Sequence, residues 1–194
     1  MRSSPAAGRV IENEVTGERI VIRRPAAETG GALLVFELVL APGGHVPSGH
    51  AHPEQQERFT VLEGRVRFRV GGRATLALPG DTVTVDPGTR HHFANADRRP
   101  ARLQVEVRPA LNMEELLATA SALGRRERGI GRLRQVVDLA LFLREFEREV
   151  AIPVLPVAVA RALTRPLAWL ATAGGLDGRY RRARAGRRTT DTPS

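Results

Sequence analysis

Between residues 19 and 107, apolar residues come in short runs, several alternating with polar ones, and turn residues interrupt them every six to twelve positions. The runs cover residues 19–23, 33–40, 57–62, 66–70, 74–78, 82–85 and 103–107. Between them stand Pro42-Gly43-Gly44, Gly64, Gly71-Gly72, Pro79-Gly80 and Pro87-Gly88. Short strands at that spacing predict an all-β sandwich or barrel. The alternation is plainest at 65–70, where Val66, Phe68 and Val70 take one face and Arg65, Arg67 and Arg69 the other. Such an arginine row can grip an acidic ligand, but it is expected to be a solvated face or part of a subunit interface.

After Pro109 the period changes. Asn112 with Glu115 three residues on matches a capping box, and Glu114 and Glu115 suit a helix N-terminus, which predicts a helix to about Leu123. After a break at 124–131, Leu133, Val136, Val137, Ala140, Leu143 and Phe146 recur at helical spacing over 132–150. Residues 139–143 are apolar all round, so this helix is expected to pack on more than one side. Pro153 and Pro156 end it, and a third helical stretch follows over 157–173, kinked or restarted at Pro166. The chain therefore divides into a β domain at 1–109, a helical extension at 110–177, and a basic tail at 178–194 expected to lack regular structure.

Residues 150–173 are rich in Val, Leu and Ala, but Arg161, Arg165 and three prolines argue against a membrane span. Two readings of the extension stay open. The favoured one is a helical hairpin packed on the β domain or on a partner subunit. The other is peripheral membrane contact, with Trp169 and the arginines of 179–188 resting on anionic lipid.

Composition narrows the classes. A chain of 194 residues with 42% hydrophobic and 26% charged residues can bury a core without cross-links and is not disordered throughout. The absence of cysteine excludes disulfides, a thiolate metal site and a cysteine nucleophile. All thirty basic residues are arginine, and the net charge is +9. Six arginines against one aspartate at 179–194 carry more than half of it, so the fold as a whole is not a basic surface. Only Tyr180 is available for base stacking beside those arginines, and nucleic-acid binding is not expected. Residues 1–30 lack a basic start followed by an apolar run, which makes the cytoplasm the expected compartment. Neither a phosphate-binding glycine fingerprint nor a Gly-x-Ser-x-Gly elbow occurs.

Candidate chemistry gathers in residues 44–64, GHVPSGHAHPEQQERFTVLEG. His50 and His52 are one residue apart, so on a strand both imidazoles project from one face. Glu57 follows after Pro53-Glu54, and a second pair, His91-His92, follows the turn Asp86-Pro87-Gly88. Imidazole and carboxylate together suit Fe, Mn, Ni, Cu or Zn without choosing among them. A His-x-His pair alone is often a surface accident, so spacing makes metal binding a candidate only.

The segment resembles the first motif of the cupin superfamily: Gly44, five residues, His50-x-His52, four residues, Glu57, six residues, Gly64. Residues 80–95 resemble the second, with Gly80, Gly88, His91 and Asn95 in register, while Asp86 stands where the family has proline. The resemblance covers residues 15–109 by strand pattern and leaves out 110–194. It implies a small β-barrel, a double-stranded β-helix or jelly roll, with one divalent metal at its mouth. The ligands would be His50, His52, Glu57 and His91. In an octahedral site two positions would remain for water, substrate or dioxygen. Fe(II) is the metal expected, with Mn, Ni, Zn or Cu as alternatives, and Glu57 is the candidate catalytic base. His92 has the opposite strand parity and is expected to point away, His45 to lie in a loop, and Asn95 to cap a turn. A homodimer is also implied.

Parity sketches the surroundings. If Glu57 faces inward, so do Phe59 and Val61, and if His91 does, so does Phe93, while Leu103, Val105 and Val107 form one apolar face. Phe59, Val61, Phe93, Leu103 and Val105 are thus candidate pocket residues, or else simply core. An apolar pocket around one metal suits a small, largely apolar ligand held through an oxygen. The activity expected by analogy with the cupin resemblance is dioxygenase-like oxidation. The alternatives are non-redox isomerase, lyase or cyclase chemistry, a non-catalytic ligand-binding module, and a peripheral membrane enzyme.

Overall fold

A computed structural model describes residues 8–13, 17–46, 49–124, 131–152 and 157–185. Its strands are β1 (Val10–Asn13), β2 (Glu18–Arg24), β3 (Leu34–Leu40), β4 (Gln56–Glu63), β5 (Val66–Val70), β6 (Arg73–Ala77), β7 (Thr82–Val85), β8 (His91–Asn95) and β9 (Ala101–Arg108). They form a six-stranded sheet in the order β1-β2-β3-β9-β4-β7 and a three-stranded sheet in the order β6-β5-β8. Every pairing is antiparallel. This is the sandwich that the alternating runs predict. In β3 and β9 every second side chain is buried, and the register sets Phe36 opposite Val105 and Leu38 opposite Leu103. Two strands fall outside the predicted runs: β1, whose single buried residue Ile11 is too weak a pattern to read, and β8, whose buried face is His91, Phe93 and Asn95 and so carries little apolar alternation.

Two glycine positions explain the turns. Gly71 and Gly72 both take positive φ between β5 and β6, as a two-residue hairpin turn demands. At Gly64 φ is +79°, and a Cβ would lie 3.0 Å from Ala101 Cα, so β9 crosses where only glycine leaves room. Because β5 is the central strand of its sheet, Arg67 and Arg69 stand on the exposed outer face rather than along an edge, and Arg65 pairs with Asp97 at 3.3 Å.

Four helices follow: α1 (Met113–Gly124), α2 (Arg132–Glu145), α3 (Val157–Ala173) and α4 (Gly178–Ala185). Met113 and Leu116 of α1, and Phe146 just after α2, join the sandwich core, so the extension packs directly on the β domain. A second cluster of Val137, Leu141, Ala168, Ala171 and Tyr180 ties α2, α3 and α4 together. Among the described residues no helix is long and apolar enough to cross a membrane.

The extension departs from expectation in several places. The capping box is not how α1 begins. Asn112 N and Nδ2 donate to Glu149 Oε1, Glu114 accepts from Ala26 N at 2.7 Å, and Glu115 accepts from Arg184. The second helix ends at Glu145 rather than near 150, because Phe146 leaves the helix to enter the sandwich core. Pro166 sits inside a continuous α3. Residues 178–185, read from sequence as part of an irregular tail, form α4, whose Arg179 is buried against Asp138 at 2.5 Å. Residues 153–156 and 186–194, with Pro153, Pro156 and the tail's last arginines, lie outside the described residues, as does most of the break at 124–131.

Candidate metal centre

Three chain segments bring His50, His52, Glu57 and His91 together. Glu57 opens β4 and faces inward, with Phe59 and Val61 buried on the same side. His91 opens β8, whose burial alternates so that His91, Phe93 and Asn95 turn in. His45 and His50 each lie beside β8, through bridges at His45–Ala94 and His50–His91. His91 N donates to His50 O at 2.9 Å, and Gly88 N donates to His52 O at 2.8 Å, fixing both ends of the His-x-His pair. The four side chains converge, with one ligand atom from each lying within 4.8 Å of the others.

Second partners of the rings decide which nitrogen is available. His91 Nδ1 donates to Thr89 O at 3.1 Å, and His52 Nδ1 donates to Glu149 O. A ring that gives its Nδ1 proton to a carbonyl keeps the lone pair on Nε2, as metal-ligating histidines do. Those Nε2 atoms lie 3.3 Å (His52) and 2.9 Å (His91) from Glu57 Oε2. All three atoms are buried and lack a hydrogen-bonding geometry within the protein. Buried lone pairs facing one another are costly unless a cation or a proton sits among them. The donor set of imidazoles and one carboxylate therefore fits a divalent transition metal.

Electrostatics carry the same signature. Burial by itself raises the Glu57 carboxyl, but His52 and His91 beside it outweigh burial and hold it well below the usual carboxylate range. Burial works against a charged His52, yet Glu57 and the Glu149 carbonyl hold its pKa above the ordinary imidazole value.

An apolar cavity of about 460 Å³ opens onto the cluster. His50, His52 and Glu57 stand on its wall, with Phe59 and Phe93 next to them. The helical extension supplies much of the remainder, including Met113, Leu116, Leu117, Leu139, Phe142 and Leu143. Three of the sequence-derived pocket residues are placed elsewhere. Val61, Leu103 and Val105 are fully buried in the sandwich core and do not line the cavity. In the register Val61 pairs with Leu103, four residues along β4 from Glu57, and Val105 pairs with Phe59.

Outside the cluster, His92 is half-buried on the other face of β8, and His45 is exposed near Gly43 O at 3.4 Å. Asn95 Nδ2 donates to the carbonyls of Leu40, Ala41 and Arg99, and Oδ1 accepts from Asp97 N, so this amide ties two loops. Sequence reasoning missed Glu149 and the helical wall of the cavity. A backbone carbonyl leaves no mark in a sequence, and the amphipathic pattern of α1 and α2 does not say what their apolar faces cover.

Residues 36–107 match the family model described as the cupin domain. No curated protein matches the sequence. Among solved structures, an RmlC-like cupin from Shewanella frigidimarina is 18% identical, covering 58% of this chain and 93% of that one at a TM-score of 0.49. A predicted oxalate decarboxylase from Thermotoga maritima is 19% identical, covering 56% and 99% at a TM-score of 0.49. A sugar phosphate isomerase of the cupin superfamily from Silicibacter pomeroyi is 25% identical, covering 53% and 68% at a TM-score of 0.43.

Proposed function

The chain carries a cupin domain over residues 36–107, and on that footing we propose that it is a metal-dependent enzyme performing dioxygenase-like oxidation of a small, largely apolar molecule. One observation carries the reading: a buried cluster of three imidazoles and a carboxylate, with unsatisfied lone pairs, opens onto an otherwise apolar cavity. His50, His52, Glu57 and His91 would hold the metal, and Fe(II) there would supply the one-electron chemistry that reaction with dioxygen requires.

The protein's own groups do the rest. Phe59, Phe93, Leu116 and Phe142 bind the apolar body of the substrate and exclude water from the cluster. Glu57, on the cavity wall, is the carboxylate placed to meet a substrate hydroxyl, although the flanking histidines that hold it ionised also make it a weak base. Beyond the cluster, Glu18 is the one titratable side chain among the described lining residues. Isomerase, lyase or dehydratase chemistry needs proton donors and acceptors along the substrate, and this wall is nearly bare of them. That favours oxidation over the non-redox alternatives.

Protein loaded with Fe(II) is expected to consume dioxygen when panels of apolar hydroxyl-bearing or carbonyl-bearing compounds are supplied, whereas zinc-loaded protein is not. Complete anaerobic turnover with Zn(II) or Ni(II) would replace oxidation with Lewis-acid chemistry. A second reading, a non-catalytic ligand-binding module, draws on the helical wall of the cavity, through which a bound molecule would touch the extension directly. Saturable binding without turnover under every metal would favour it.

A further inference from the structure

The chain leaves α2 at Phe146 and crosses to the metal centre before Pro153. Phe146 is buried in the sandwich core, Glu149 is 1% exposed, and Val150 and Ile152 line the cavity. Two backbone hydrogen bonds join Ala151 to Ala51, at 2.9 and 2.8 Å, so residue 151 adds a rung beside the segment that holds His50 and His52. Glu149 faces two ways. Its carbonyl accepts the Nδ1 proton of His52, and its carboxylate accepts from Asn112 N at 3.1 Å and Asn112 Nδ2 at 3.2 Å, at the start of α1. Outside, Arg148 forks onto Glu54 with contacts of 2.6 to 3.0 Å, just ahead of Glu57.

We propose that residues 146–152 are a strap belonging to the metal centre, with Glu149 as the positioning residue for His52, so that metal binding and docking of the C-terminal helices are one linked equilibrium. The inference rests on the metal-site reading above. Its physical basis is that the Glu149 carbonyl selects the tautomer and angle of a ligand ring, and the outer partners of ligating histidines set metal affinity. That carbonyl is held in place by the Glu149 carboxylate on α1 and by the Ala151 rung on the sheet. Whatever loosens the helical extension therefore loosens His52. Linkage makes the effect reciprocal, so the metal must tighten the strap as much as the strap tightens the metal. The helices beyond the cupin domain thereby sense the occupancy of its centre.

The test uses Co(II) as the probe on the full chain, with affinity measured by competition against a chelating chromophore and geometry read from the visible Co(II) absorption. Glu149→Ala and Ala151→Pro are each expected to weaken Co(II) binding about 10- to 100-fold and to change the visible spectrum. Glu149→Gln, which keeps an acceptor for Asn112, is expected to restore both. In the reverse direction, Co(II) saturation of the unaltered chain is expected to slow deuterium exchange at the Ala51 and Ala151 amides by about tenfold or more. Should Glu149→Ala not fold, Ala151→Pro and the exchange measurement still decide. Unaltered affinity and spectrum in the variants, with exchange at 151 indifferent to metal, would overturn the strap while leaving the metal centre standing. No Co(II) uptake by the unaltered chain would overturn both.

Discussion

His52 and His91 each have one ring nitrogen committed to a backbone carbonyl, and the geometry of the cluster follows from those commitments. Thr89 O takes the Nδ1 proton of His91 and Glu149 O that of His52, which leaves their Nε2 atoms aimed at Glu57. Asn95 plays the comparable part for the loops, spending its amide on three carbonyls and one N–H. Asn95→Ala would strand those buried carbonyls, and chemical unfolding is expected to show a loss of about 1–3 kcal/mol. A loss within error would mean that water replaces the amide. At this scale the sequence was informative where spacing carries chemistry: His50, His52, Glu57, His91 and Asn95 are all recognisable from their intervals. It was silent about Glu149, whose contribution to His52 is a main-chain atom. It left Val61, Leu103 and Val105 open between pocket and core, since strand parity tells which face is inward but not how far along the strand the mouth lies; they are core.

Among the elements, strands were easier to read than helices because alternation names both the strand and its buried face. The core positions of β3, β5 and β9 follow directly from LVFELVL, VRFRV and ARLQVEVR. The helix α4 was hidden by its composition, GRYRRARA, which reads as solvated. It is anchored instead by specific pairs: Arg179 with Asp138, Arg184 with Glu115 and Glu145, and the Tyr180 hydroxyl donating to Glu145 at 2.5 Å. Burial first, and the Glu145 carboxylate second, push the Tyr180 phenol far above its ordinary value of 10.0. The chain has no cysteine, one tyrosine and only arginine among its basic residues, so Tyr180 is the one side chain that ordinarily titrates near pH 10. Below that pH the phenol is neutral both folded and unfolded and adds no slope. Above it the unfolded chain releases a proton that the native chain keeps, so stability must fall as pH rises. Urea midpoints are expected to decline above a pH of about 10, with Tyr180→Phe abolishing that alkaline decline. A decline that persists in the variant would place the alkaline sensitivity elsewhere.

For the whole molecule, the decisive feature is that neither the β domain nor the extension owns the cavity. Phe59 and Phe93 come from the sandwich, and Leu116, Phe142 and Leu143 from the helices. Division of the chain at residue 109 therefore describes its secondary structure better than its working parts. Leu143→Trp, which enlarges a half-buried residue of the helical wall, is expected to weaken binding of an apolar fluorescent probe at least about tenfold, the effect of roughly 1.4 kcal/mol. Metal content should be unchanged. Equal probe affinity would show that the helical wall is not part of the ligand site. Everything else depends on the cluster holding a metal. Elemental analysis of the purified protein beside His50→Ala tests this most directly. Close to one transition metal per chain is expected, regained after stripping and reconstitution, and lost in the variant. No metal as purified, and none regained on reconstitution with Fe, Mn, Ni, Cu or Zn, would contradict it.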